Sequence, residues 1–300
     1  MYALSKYEEH ALKEIHSWKN PDIGWFGGVM KLINQPLDKA GSALLETPGV
    51  GPAIQKAVEG LVGVCNDAAQ WSVRPEAIFE EFRSDGHAQV KSHKDLIQLD
   101  LEEVDKVVGW LAAKYKGVAL VEGAGTGAIG LPGIALDIPA LIGLNLRAIG
   151  EYAAYYGFDT SRQEERLFAF NVLGLASSPT DGSKAVAMAQ LVKIAQEVAK
   201  KSSWKQLEKS VFVQIIKEIS KALGIRLTKA KLAQSIPVIG AAVGGGFNAY
   251  FTAKVCDAAF YLYRERFLAQ KYGGAVIEET VPPAPTLDPH YPEAEIDIEK

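Results

Sequence analysis

Apolar side chains recur every three or four residues along most of the chain, which is the period of an α-helix. One stripe lies between residues 204 and 223 and consists of Trp204, Leu207, Val211, Ile215, Ile219 and Leu223. Another helix is predicted from Asp100, as its N-cap, to about Lys116, with an apolar face of Leu101, Val104, Val108 and Leu111. Further helices are predicted over residues 7–18, 162–175 and 185–199. Because no series of short alternating strands occurs, the pattern predicts an all-α protein.

Two apolar segments are rich in glycine. The first runs from Gly117 to Arg147, and the second has 22 uncharged residues from Leu232 to Ala253. Each has glycines four apart, a spacing that lets helix backbones approach closely: Gly123 and Gly127, Gly240 and Gly244. A bilayer span needs about 20 apolar residues, but Asp137 interrupts the first segment and polar residues dilute the second. We predict a compact helix bundle in which the two segments are buried and packed together. Shallow or conditional membrane insertion is the alternative.

Charge divides the chain into a basic stretch and an acidic end. Residues 273–300 hold seven acids, one base and five prolines, so we predict a disordered tail. Residues 184–231 hold eleven bases and three acids. A polar loop near residues 84–99 suggests a boundary, giving a helical extension at 1–90, a helical domain at 91–272 and the tail at 273–300.

Composition excludes several classes of protein. The net charge of −4 argues against a nucleic-acid partner. Two cysteines cannot form a disulfide framework or a cysteine-rich zinc site. The first residues contain no apolar signal core, so we expect a cytoplasmic location.

Motifs with defined chemistry are few. Residues 125–130 match G-x-G-x-x-G, but Pro132 follows where the helix of a dinucleotide site would run, so no cofactor is predicted. His87 and His93 lie in a polar loop typical of solvated histidines, and no metal is predicted. Cys65 lies between apolar residues and is interpreted as a small buried side chain rather than a nucleophile.

Four polar residues are the candidates for a site. Glu122 and Asp137 belong to the first glycine-rich segment, Asn248 lies in the second, and Arg264 follows it. A carboxylate beside an apolar helix must be paired or must have a raised pKa. One interpretation is an ion pair between the segments. The other is a polar site where the two helices cross.

Several ordered motifs resemble a known family. They are Asp-Ile-Pro-Ala-Leu at 137–141, Tyr-Gly-Phe-Asp at 156–159, the second glycine-rich segment to Asn248, and Tyr-Arg-Glu-Arg-Phe-Leu at 263–268. Over about residues 95–270 the chain resembles the EcsC protein family of bacteria. The resemblance implies a mostly helical bacterial protein and, because some members are encoded beside an ABC transporter, a membrane protein complex as a partner. A peptidase label sometimes attached to the family is not carried over, since no peptidase motif is present.

These observations lead to one functional hypothesis and one alternative. We expect a non-catalytic, cytoplasmic protein that associates peripherally with the inner membrane, on anionic lipid or on a membrane protein complex. The side chains expected to bind the membrane are Lys200, Lys201, Lys205, Lys209, Lys217 and Lys221. The alternative is a hydrolase or small-molecule-binding protein with a polar site between the glycine-rich segments.

Overall fold

The computed structural model describes residues 4–19, 73–126, 131–176 and 246–274, together with single residues at 52, 55, 56, 59, 60, 223, 227 and 276. The helices of these ranges are α1 (Lys6–Lys19), α2 (Pro75–Ser84), α3 (His93–Leu96), α4 (Leu101–Val108), α5 (Leu111–Thr126), α6 (Leu131–Tyr155), α7 (Gln163–Ala176) and α8 (Phe247–Tyr272). The described ranges contain no strand, so the predicted all-α fold class is confirmed.

Helix α8 forms the centre of the described bundle and packs against α1, α5, α6 and α7. Its buried residues include Phe251, Val255, Ala258 and Leu262, which do not form a single stripe. A helix that is buried on most of its sides belongs in the interior of a protein. By contrast, α1 buries one stripe and covers the bundle from outside.

Helices α6 and α8 run parallel. Tyr152 contacts Phe260 with ring centroids 6.5 Å apart, and Tyr156 contacts Phe267 at 6.2 Å. Residue numbers therefore rise together along both helices. This arrangement places the start of α8 beside the first half of α6.

The helix predicted from Asp100 to about Lys116 is interrupted. Its apolar face is confirmed, because Leu101, Val104, Val108 and Leu111 are all buried. However, α4 ends before Gly109 and α5 begins at Leu111, and glycine is among the weakest helix formers. Asp100 is the N-cap residue, as predicted, but its side chain makes no capping hydrogen bond and accepts one from Lys271 Nζ at 3.2 Å.

Other predicted elements have clear outcomes. The helices expected at 7–18 and 162–175 are confirmed as α1 and α7. Residues 118–121, which a dinucleotide site would require as a strand, lie in α5. The helix at 185–199, the disordered tail beyond residue 276, Cys65 and the helical character of most of the 204–223 stripe lie outside the described residues. The domain division stays a prediction, although α1 and α8 share one core.

Helix α6 ends in a Schellman motif that needs a glycine. Phe158 N donates to Ala153 O at 2.8 Å, and Gly157 N donates to Ala154 O at 3.1 Å. Gly157 has φ +82°, and a Cβ there would lie 2.7 Å from His93 O. The turn directs Phe158 into the core, where it lies against Tyr263 of α8 with ring centroids 5.6 Å apart.

Replacing this glycine tests the turn. We expect Gly157→Ala to lower the free energy of unfolding by about 2–4 kcal/mol, because a left-handed alanine is strained and its Cβ has no room. Gly117→Ala is the control: Gly117 is helical with no atom within 4 Å of a Cβ, so alanine should stabilise by up to about 1 kcal/mol. Chemical denaturation measures both. Equal changes in stability for Gly157→Ala and Gly117→Ala would contradict the assignment of a turn that requires Gly157.

Candidate functional site

Four polar side chains meet between the two glycine-rich segments. Asn248 Nδ2 donates to Asp137 Oδ1 at 3.1 Å, and Asn145 Nδ2 donates to Thr252 Oγ1 at 3.2 Å. Asp137 and Asn145 lie on α6, while Asn248 and Thr252 lie on α8. We refer to these four residues as the α6–α8 polar cluster. Within the described residues, the contact between the two glycine-rich segments therefore includes polar pairs.

The α6–α8 polar cluster is shielded from solvent. Asn145 and Thr252 are 0 % exposed, and Asp137 and Asn248 are 3 % exposed. The Oδ1 atoms of Asn145 and Asn248 are buried and accept no hydrogen bond. Because an unsatisfied buried acceptor costs about 1–3 kcal/mol, these oxygens are suited to accept a proton donor such as an ordered water or a polar ligand group.

A second group of polar residues surrounds Arg264, further along α8. Arg264 Nε lies 2.9 Å from Asp105 Oδ2, and Arg264 Nη1 donates to Glu14 Oε2 at 2.9 Å. Tyr156 Oη donates to Asp105 Oδ1 at 2.6 Å and Tyr7 Oη donates to Asp105 Oδ2 at 2.9 Å. We refer to these five residues as the Arg264 cluster. It joins α1, α4, α6 and α8.

Burial dominates the electrostatics of the Arg264 cluster. Removal from water raises the pKa of Asp105, although Arg264 and the two tyrosine hydroxyls oppose the effect. Burial, followed by the Asp105 charge, raises the pKa of Tyr7 to about 12 and that of Tyr156 well above its usual value. Both tyrosines therefore stay protonated and act as hydrogen-bond donors.

Arg264 begins a charged triplet, residues 264–266, whose ion pairs connect α8 to α1, α4 and α7. Glu265 pairs with Lys19 of α1. Arg266 holds Glu165 of α7 in a bidentate pair at 2.6 and 2.7 Å. The ion-pair interpretation predicted Glu122 or Asp137 as acidic partners. In the described residues Arg264 pairs with Asp105 and Glu14, and Arg266 pairs with Glu165.

The four candidate residues do not form one site. The structure brings Asp137 and Asn248 together. Arg264 lies 16 residues beyond Asn248 on one continuous helix, a separation of about 24 Å. Glu122 is half-buried near the end of α5, where burial raises its pKa. The six lysines expected to bind the membrane lie outside the described residues.

The sequence contained a signal for Asp105 that was missed. Asp105 lies on the apolar stripe of α4, beside Val104 and Val108, and all three are buried. An acid within a buried stripe requires a partner. His87 of the predicted polar loop lies near Asp85 and Glu103. The described residues hold no group of three metal-ligating side chains.

The solvent-facing side of α5 is apolar. Leu120 is 56 % exposed, Val121 74 % and Val118 40 %, and Trp110 just before the helix is 44 % exposed. We call the surface formed by these four residues the α5 outer face. A surface helix normally presents polar residues to water, so contiguous apolar exposure marks an interaction site. None of the helices in the described ranges is long and apolar enough to cross a membrane.

Comparison with known proteins identifies the family of this chain. The chain belongs to the EcsC protein family, whose model matches residues 9–268. The match begins well before residue 95, where the resemblance in the sequence started, and thus includes most of α1.

Two relatives come from Bacillus subtilis (strain 168). "Uncharacterized protein YdbA" is 27 % identical over 265 residues, covering 87 % of this chain and 92 % of that protein. "Protein EcsC" is 29 % identical over 180 residues, covering 60 % of this chain and 70 % of that protein. No solved structure matches the chain.

The buried charge of Arg264 can be tested by stability. We expect Arg264→Met to lower the free energy of unfolding by about 3–5 kcal/mol, because Asp105 would keep a buried charge without its counter-ion. Lys106→Met is the control on α4: Lys106 is 69 % exposed and pairs with Asp85, so the loss should stay below about 1 kcal/mol. Urea denaturation distinguishes the two. Similar losses would show that Arg264 contributes only packing.

Proposed function

We propose that this chain is a non-catalytic bacterial protein that docks peripherally on the anionic inner surface of the membrane through the α5 outer face. The exposure of Leu120 and Val121 is the observation that carries the proposal. Apolar side chains that are costly in water contribute binding energy when they enter the headgroup region.

The distribution of charge around α5 supports a lipid surface as the partner. At 100° per residue, Leu120, Gly117 and Val121 lie near the middle of the exposed side, Lys116 lies at one edge, and Lys114 lies between Val121 and Val118. Lys114 Nζ also lies 4.9 Å from the centre of the exposed Trp110 ring. Exposed apolar residues accompanied by lysines on the same side of a helix, with an aromatic ring nearby, are typical of helices that lie in the plane of a membrane surface.

The basic stretch of the sequence adds to the proposed attraction. Residues 184–231 carry a net charge of +8, and each lysine near an anionic leaflet contributes about 1 kcal/mol. The lysines proposed to take part are Lys200, Lys201, Lys205, Lys209, Lys217 and Lys221. Binding should therefore combine apolar burial with a salt-sensitive electrostatic contribution.

Vesicle flotation tests the docking surface. We expect the full chain to bind phosphatidylcholine vesicles only when they contain phosphatidylglycerol, and to be released by salt. The double variant Leu120→Ser, Val121→Ser should bind about 30-fold more weakly, because about 2 kcal/mol of apolar burial is lost. Lys116→Glu should weaken binding by about tenfold or more.

Lys13→Glu is the matched control, because Lys13 is exposed on α1, away from the α5 outer face. It should bind within about threefold of the native protein, the range of an unrelated surface charge. Equal binding by the native chain and the serine variant would contradict the docking surface. Binding to stripped bacterial membranes but not to protein-free anionic vesicles would replace lipid by a membrane protein as the partner.

A second candidate function is a polar binding site between the glycine-rich segments. It is supported by the pairing of Asp137 with Asn248 and by the unsatisfied Asn145 and Asn248 oxygens. Such groups destabilise a protein unless a ligand satisfies them. Arg264 does not belong to this site because of its distance along α8.

Substitution distinguishes a binding role from a structural one. We expect Asn248→Ala to cost about 1–3 kcal/mol of unfolding free energy, because Asp137 loses a buried donor. The double variant Asp137→Leu, Asn248→Leu should recover this loss, since apolar groups can replace a buried polar pair. Asn171→Ala is the control, because the Asn171 side chain donates to Leu167 O of its own helix. If the double variant is less stable than Asn248→Ala, the Asp137–Asn248 pair has a structural role.

A further inference from the structure

A cleft opens beside the Arg264 cluster. It has a volume of about 520 Å³ and is lined by residues of α1, α4, α5, α6 and α8. This volume lies within the range of about 300–1,000 Å³ found for small-molecule sites. Asp105 contributes to the lining, so the cleft lies directly against the buried ion pair.

Aromatic side chains form part of the cleft wall. Tyr7, Tyr152 and Phe260 come from three different helices. The Arg264 guanidinium carbon lies 4.6 Å from the Phe260 centroid, so one face of this ring is covered and a ligand would meet the rest of the aromatic surface. Aromatic faces attract ammonium and guanidinium groups through the ring quadrupole. The wall therefore suits an organic cation better than an anion.

The charges that line the cleft favour the same ligand. Glu102 of α4 and Asp257 of α8 both face it, and no basic side chain of the described ranges forms an ion pair with either. Asp105 is already neutralised by Arg264, and Lys106 is held by both carboxylate oxygens of Asp85, at 2.9 and 3.1 Å. The two remaining carboxylates leave an excess of negative charge.

The setting of Asp257 strengthens this argument. Burial raises its pKa, and the charge of Lys116 offsets the effect only in part. Asp257 is nevertheless solvent-exposed, so a cation that enters the cleft can reach its carboxylate directly.

We propose that this cleft binds a small organic cation, an alkyl ammonium or guanidinium compound, through the carboxylates of Asp257 and Glu102 and the rings of Tyr7, Tyr152 and Phe260. The carboxylates come from different helices across a wide, partly aromatic space, which suits a ligand with both an aliphatic chain and a charged head. The lining of the cleft shares no residue with the α5 outer face or with the α6–α8 polar cluster.

Calorimetric titration of the full chain with agmatine, spermidine and choline tests the proposal, with sodium chloride of equal ionic strength as the reference. At least one of the three should bind saturably with one site per chain. Asp257→Asn should weaken that binding about tenfold or more, because one charge-assisted contact is lost. Asp257→Glu should restore most of it.

Glu9→Gln is the matched control, since Glu9 is exposed on α1 and does not line the cleft. It should bind the organic cation as the native chain does, and so should the Leu120→Ser, Val121→Ser variant. Heat changes equal to those of sodium chloride for all three compounds would overturn the proposal. Unchanged affinity in a folded Asp257→Asn protein would also overturn it. The melting temperature of each variant confirms folding.

Discussion

The arrangement of the bundle depends on the buried ion pair between Arg264 and Asp105. A guanidinium that is 2 % exposed in its side chain requires a counter-charge, because an uncompensated buried charge costs several kcal/mol. Asp105 supplies that charge from α4, while Tyr156, directly after α6, and Glu14 of α1 bind the two ionised groups. Sliding any of these helices by one turn would leave a charge buried without its partner. The ion pair therefore fixes how the helices align, even where it adds little to net stability.

The protein also combines polar groups inside with apolar groups outside. The α6–α8 polar cluster lies in the interior, and the α5 outer face lies in water. Buried polar groups and exposed apolar groups both lower the stability of the fold, and they occur mainly where function requires them. A membrane surface would cover the exposed apolar side chains, and a ligand or ordered water would satisfy the buried amide oxygens. The two features thus indicate different partners for different parts of the molecule.

Local sequence pattern predicted some elements well and the candidate site only in part. The apolar stripe of α4 was predicted correctly, because buried residues recur with the period of a helix. The break at Gly109 depends on how α4 and α5 pack. Asp137 and Asn248 were expected in one site and do meet. Arg264 was grouped with them because the glycine-rich segment was taken to end at Ala253. In fact α8 continues to Tyr272 as one helix, and its rigidity keeps Arg264 apart from Asn248.

The sequence by itself determined that the chain forms helices and belongs with the EcsC proteins, because helical period and ordered motifs are local properties. Tertiary structure alone decided which polar residues meet, since Asp105 and Arg264 are brought together from helices far apart in the chain. It also decided which side of α5 faces water. That helix is apolar on most of its sides, so its pattern predicted burial, and only the positions of its neighbours leave Leu120 and Val121 exposed.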